Sequence, residues 1–67
     1  MATPWWRGGR LQRARRRRAL TQLALARKVG VHVITISRLE RGDRQPSMAL
    51  LQRLAKALGV PVTRLLE

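Results

Sequence analysis

Arginine supplies most of the chemistry open to this chain. Fifteen Lys and Arg stand against three acids, for a formal charge of +12, and every one of those cations except Lys28 and Lys56 is Arg. A guanidinium is planar and permanently charged, and its paired N–H groups match phosphate oxygens two at a time. The expected partner is a polyanion. Against that background the stretch GVHVITISRLERG, Gly30 to Gly42, places bare hydrocarbon, Val33 and Ile34, at the start of a helical segment.

Other chemistries are poorly served. His32 is the single histidine and cysteine is absent, so no metal site is expected. Glu40 and Asp43 are close together and surrounded by Arg, which does not suit an acid–base pair, and Glu67 is terminal. The reading is of a binding module, not an enzyme, with no cofactor and no small-molecule ligand. A chain of 67 residues has room for one small domain, and a large active-site cleft would need a partner to complete it. Without disulfides such a fold must rest on tight helix packing or oligomerisation, and the absence of cysteine fits a reducing cytoplasm. The longest apolar run is only a few residues and Trp5-Trp6 is followed by Arg7, so neither a membrane span nor an export leader is expected.

The elements that must hold these residues are short helices. Residues 1–9 contain Pro4, Gly8 and Gly9 and no apolar period, so they read as an arm, flexible or packed, ahead of a domain spanning 10–67. From Arg10 to about Arg18, Leu11 and Ala14 share one side of a thin amphipathic helix. Thr21 is placed to cap a second helix, Gln22 to Val29, with Leu20 stapled on Leu25; Ala24 rules out a capping box. Gly30 stops that helix, and His32, a weak cap, starts a third that ends near Arg41 ahead of Gly42. After the loop GDRQPS, Ser47 caps a fourth helix with Leu51, Leu54, Ala55 and Leu58 on one face. A fifth runs from Pro61 to Leu66. Five helices without a strand signal make the chain all-α.

Helices two and three, linked only by Gly30 and Val31, must cross steeply, with the small Ala26 near the crossing. Leu25, Val29, Val31, Ile36 and Leu39 then face inward. This is the logic of a helix-turn-helix. Arg15, TQLALARKVGV from Thr21 to Val31, TISRLERG from Thr35 to Gly42, Pro46-Ser47 and LAKALGV from Leu54 to Val60 together resemble the Cro and phage-repressor (Xre-type) helix-turn-helix DNA-binding family. The resemblance covers roughly Arg10 to Leu66. It implies a compact five-helix repressor-like domain that binds double-stranded DNA sequence-specifically, as a transcriptional repressor or regulator, natural or redesigned.

Position by position, the resemblance implies base contacts from His32, Val33, Ile34, Ser37 and Arg38 and phosphate contacts from Thr21, Gln22, Thr35, Arg41 and Arg44. It also implies a salt bridge between Arg15 and Glu40. Family members commonly bind as twofold dimers on palindromic sites, and Val62, Leu65 and Leu66 are the candidates for a homodimer contact. The chain departs from the family at Val33 and Ile34, where polar residues are common, and at Leu23. Alkyl groups in the major groove can still read thymine methyls. The other reading turns Val33 inward, leaving Ile34 exposed, or gives both to an oligomer contact. Arg38 suits either guanine O6 and N7 or a phosphate.

Glu40, beside the buried Leu39, needs a cationic partner on physical grounds alone, since an unpaired carboxylate there is costly. Arg15, Arg41 and Arg44 are all available. The run RARRRR, Arg13 to Arg18, reads chiefly as the solvated face of the first helix, with sequence-blind, salt-sensitive attraction to DNA. One of Trp5 and Trp6 is expected to cover a hydrophobic gap beside the first and fifth helices; otherwise the arm, with Arg7 and Arg10, follows the DNA. Two rivals remain. An antitoxin-like protein-interaction module would bind DNA secondarily, and a membrane-active cationic peptide would lack the regular caps and core period found after residue 20.

Overall fold

The structure, a computed structural model, describes residues 5–66. Four α-helices follow one another: α1 (Gly8–Arg17), α2 (Gln22–Val29), α3 (Val33–Arg41) and α4 (Met48–Leu58). A single turn of 3-10 helix, Val62–Leu65, completes the chain. No strand occurs among the described residues. The fifth helix expected from Pro61 to Leu66 is therefore a correction. Its hydrogen bonds run three residues back, from Arg64 N–H to the Pro61 carbonyl and from Leu66 N–H to that of Thr63, because the segment is too short to close α-helical rings.

Each helix start has a physical cause. Thr21 Oγ1 accepts from the Ala24 N–H at 3.0 Å, and Ser47 Oγ accepts from the Leu50 N–H at 3.1 Å. His32 does the same work through Nδ1, which accepts from the Ile34 N–H at 3.1 Å. Between α2 and α3 the chain reverses at Gly30, whose φ of 74° is left-handed and free of the Cβ clash any other residue would suffer. That tight link keeps α3 packed against α2, while α1 and α4 close over the pair.

Helix α1 opens at Gly8, two residues before the start expected from periodicity. A Cβ on Gly8 would collide with the carbonyl oxygens of Leu39 and Glu40, so glycine here permits a backbone-to-backbone approach between α1 and the end of α3. Trp6 is buried, and its indole N–H donates to the Leu39 carbonyl at 2.9 Å. The described part of the expected arm is thus packed from Trp6 onward, with Trp5 partly exposed against the edge of the Trp6 ring; residues 1–4 of that arm, and Glu67, lie outside the described residues. Leu11, Leu25, Ile36, Leu39, Leu51, Leu54, Leu58 and Leu65 form the fully buried centre.

Candidate nucleic-acid interface

Helix α3 divides cleanly by its 3.6-residue period. Ile36, Leu39 and Glu40 are buried, whereas Ile34, Arg38 and Arg41 are exposed on the far side. Val33 and Ile34, adjacent in sequence, part company: Val33 is half-buried and packs against the core, and Ile34 keeps 51% of its surface in solvent. The inward turn of Val33 removes it from the fully exposed edge. Arg38, one turn beyond Ile34, makes no hydrogen bond or ion pair among the described residues. Ser37 and Thr35 flank this edge, both half-buried.

The edge is held from behind by one carboxylate. Arg15 Nε donates to Glu40 Oε2 at 2.6 Å and Arg15 Nη2 to Glu40 Oε1 at 3.1 Å, a bidentate pair whose side chains are only 10% and 2% exposed. Arg15 Nη1 also donates to the Leu20 carbonyl at 2.7 Å. Gln22 Nε2 adds a third donor to the carboxylate, reaching Oε1 at 3.0 Å. One network therefore ties α1, the α1–α2 link and α2 to α3. No buried side-chain nitrogen or oxygen among the described residues lacks a partner, which is the condition under which a buried ion pair is tolerated.

That network alters the standing of Gln22. Its amide nitrogen is committed to Glu40, so it is withdrawn from the side chains offered to a phosphate; the Gln22 backbone N–H, at the first position of α2, has no acceptor within the helix. Thr21, exposed, uses its oxygen as the cap acceptor and keeps its hydroxyl hydrogen to donate. Because His32 Nδ1 is an acceptor, a neutral His32 carries its proton on Nε2, a donor on an exposed side chain. Arg41 and Arg44 are exposed, and Arg41 Nε pairs with Asp43 at 3.1 Å on the surface, where such a pair is worth little.

No acid occupies the first turn of α2, α3 or α4, so their positive ends are uncompensated. Sequence reasoning missed two features at this face. Met48, the first residue of α4, is 62% exposed, and Trp6 clasps the far end of α3. The signal for the clasp was Gly8, whose spacing from Trp6 reads as loop until its collision with α3 is seen. Of the residues named for a homodimer contact, Leu65 is a correction: it has no exposed surface, and only the half-buried Val62 and Leu66 remain accessible. Among the described residues no three His, Asp or Glu side chains gather as a metal set, and no helix is long and apolar enough to cross a membrane.

The family profile described as Helix-turn-helix matches residues 11–65. An uncharacterized HTH-type transcriptional regulator of Methanothermobacter thermautotrophicus is 49% identical over 45 residues, covering 67% of this chain and 65% of the relative. A transcriptional regulator in the ATPase CF(0) region of Rhodospirillum rubrum, also uncharacterized, is 44% identical over 54 residues, covering 76% of this chain and 50% of its own. The chain thus spans between half and two thirds of these two relatives. Among solved structures, the P22 c2 repressor in complex with a synthetic operator superposes with a TM-score of 0.85 at 35% identity, covering 90% of this chain and 91% of that one.

Proposed function

The chain belongs to the helix-turn-helix family, and on that footing we propose that it is a transcriptional regulator that reads double-stranded DNA with the outward face of α3. The observation that carries this reading is the pairing of Ile34 and Arg38, exposed one turn apart on a helix whose opposite side is pinned by Arg15, Gln22 and Trp6. A rigid helix with an apolar and a cationic tip fits the major groove, where thymine offers a methyl group and guanine offers O6 and N7. Ile34 contacts a thymine methyl and Arg38 donates twice to a guanine. Val33 and Ser37 fill the groove wall beside them, and His32 donates from Nε2 to a base edge or the adjoining phosphate.

Register comes from the backbone contacts. The Thr21 hydroxyl, the Gln22 main-chain N–H, Thr35, Arg41 and Arg44 hold phosphates, aided by the positive ends of the helices. Two copies meet on a palindromic site through Val62 and Leu66, with half-sites about one helical turn apart. No cofactor enters this scheme, and the protein acts where the DNA is, in the cytoplasm.

Selection of bound sites from a random duplex pool tests the proposal. The expected product is an enriched, palindromic sequence with a thymine and a guanine at fixed separation in each half-site. Equal, weak binding of every duplex at near-physiological ionic strength would sink the reading.

A further inference from the structure

A second cationic feature has no part in the reading edge. Along α1, Arg10, Arg13 and Arg17 follow one another at three- and four-residue steps and line one wall of a groove of about 460 Å³. Arg64 of the 3-10 helix stands in the opposite wall, and Arg18 closes one end. None of the lining residues belongs to α2 or α3. Arg18 is fixed in place: its Nε donates to the Leu58 carbonyl at 2.8 Å, and its guanidinium lies over Gly59, where a side chain would collide with it. The floor is apolar, made by Ala14 and Leu58.

Five guanidinium groups around so small a volume repel one another, and no carboxylate offsets them. Glu40 is consumed by Arg15, and Asp43 by Arg41. Some cationic charge at this place has a structural use, since Arg at the last turn of α1 and Arg18 at the end of α4 complement the negative ends of those helices. Arg10 is in the first turn of α1, and Arg13 and Arg64 touch neither helix end, so that use does not account for them. A concave site rimmed by several Arg is suited to a compact anion bearing several phosphates, each taking paired N–H donors. A duplex is too wide to enter the groove, whereas a chain of two or three phosphates fits within it.

We propose that the groove between α1 and the 3-10 helix is a binding site for a compact polyphosphate, supplied either as an inorganic phosphate chain or as the phosphate tail of a nucleotide. The site is separate from the DNA-reading face and stands whether or not that face reads sequence.

Calorimetric titration of the whole chain with inorganic tripolyphosphate, and separately with metal-free ATP, at near-physiological ionic strength tests this. The expected result is saturable one-to-one binding that weakens about tenfold in R13A/R64A, roughly the loss of one charge-assisted phosphate contact. The R27A/R53A variant, which removes the same charge elsewhere on the surface, should bind as the parent does. Tighter binding of ATP than of tripolyphosphate supports the proposal and assigns a nucleotide; equal binding supports it and assigns the phosphate chain alone. Equal weakening in the two double variants, or binding that never saturates, overturns it in favour of diffuse charge. Backbone amide shifts at Arg13, Gly59 and Arg64 on adding duplex DNA, with none on adding tripolyphosphate, overturn it in favour of a second DNA surface. Thermal melting checks that R13A/R64A remains folded.

Discussion

At Glu40, donors from two other helices converge on one nearly buried carboxylate. Removing it leaves the Arg15 guanidinium uncompensated and the Gln22 amide without its acceptor. Glu40→Ala should therefore lower stability by about 3 kcal/mol, against a few tenths for a surface change, as measured by denaturant unfolding. Arg15→Ala alone should cost a similar amount, and the double variant much less than the sum, because the two side chains share one interaction. On the reading face the side chains should behave as individuals. Ile34→Ala should cost about 1 kcal/mol of binding, and replacing the facing thymine by uracil should cost the parent a similar amount while leaving the variant indifferent. Arg38→Ala should cost roughly 1 to 3 kcal/mol at one base pair only. By contrast, Arg44→Ala should weaken all duplexes alike and flatten the salt slope by about 1, which titrations at several salt concentrations would reveal.

At the scale of elements, α3 owes its aim to contacts at both of its ends. Its start is capped by His32, and its end meets Trp6 and the bare backbone of Gly8. Trp6→Phe keeps a ring in place but leaves the Leu39 carbonyl without the indole donor, so a loss of about 1 kcal/mol is expected in thermal or chemical unfolding. Gly8→Ala forces α1 off α3, because main-chain oxygens cannot rotate away as a side chain can; a cost of roughly 2 kcal/mol or more is expected. The α1–α2 link offers the reverse case. Ala19 sits at a φ of 56°, a left-handed conformation unfavourable for a residue with a Cβ. Ala19→Gly relieves that strain at some entropic cost to folding and should raise stability by about 0.5 kcal/mol.

At the scale of the whole molecule, charge is divided between two faces. The reading edge carries Arg38, Arg41 and Arg44, and the groove along α1 carries Arg10, Arg13, Arg17, Arg18 and Arg64. Long-range attraction to DNA sums over both faces, so affinity for any duplex should fall steeply with salt, while preference among duplexes depends on the reading edge alone. Dimerisation, if carried by Val62 and Leu66, engages little exposed hydrocarbon in each copy. Stable dimers should then assemble on a palindrome and not in free solution, which sedimentation with and without the duplex would measure.

Helix content was legible in the sequence because its causes are local. Thr21, His32 and Ser47 ahead of apolar periods, with Gly30, Gly42 and Gly59 behind them, act within a few residues of themselves, and the helix starts and stops follow. The four-residue segment after Pro61 was misjudged as a helix because periodicity alone cannot separate one 3-10 turn from a short α-helix. Contacts between distant residues were decided only by the tertiary structure. Sequence left Glu40 with three possible arginines and Val33 with two possible directions, and packing resolved both. It left Leu65 looking like surface when it is core, and gave no hint that Gln22 would turn toward Glu40 or that Trp6 would reach the end of α3. Caps and periods are properties of neighbouring residues, whereas which side chains meet across the core depends on how four helices share a limited volume.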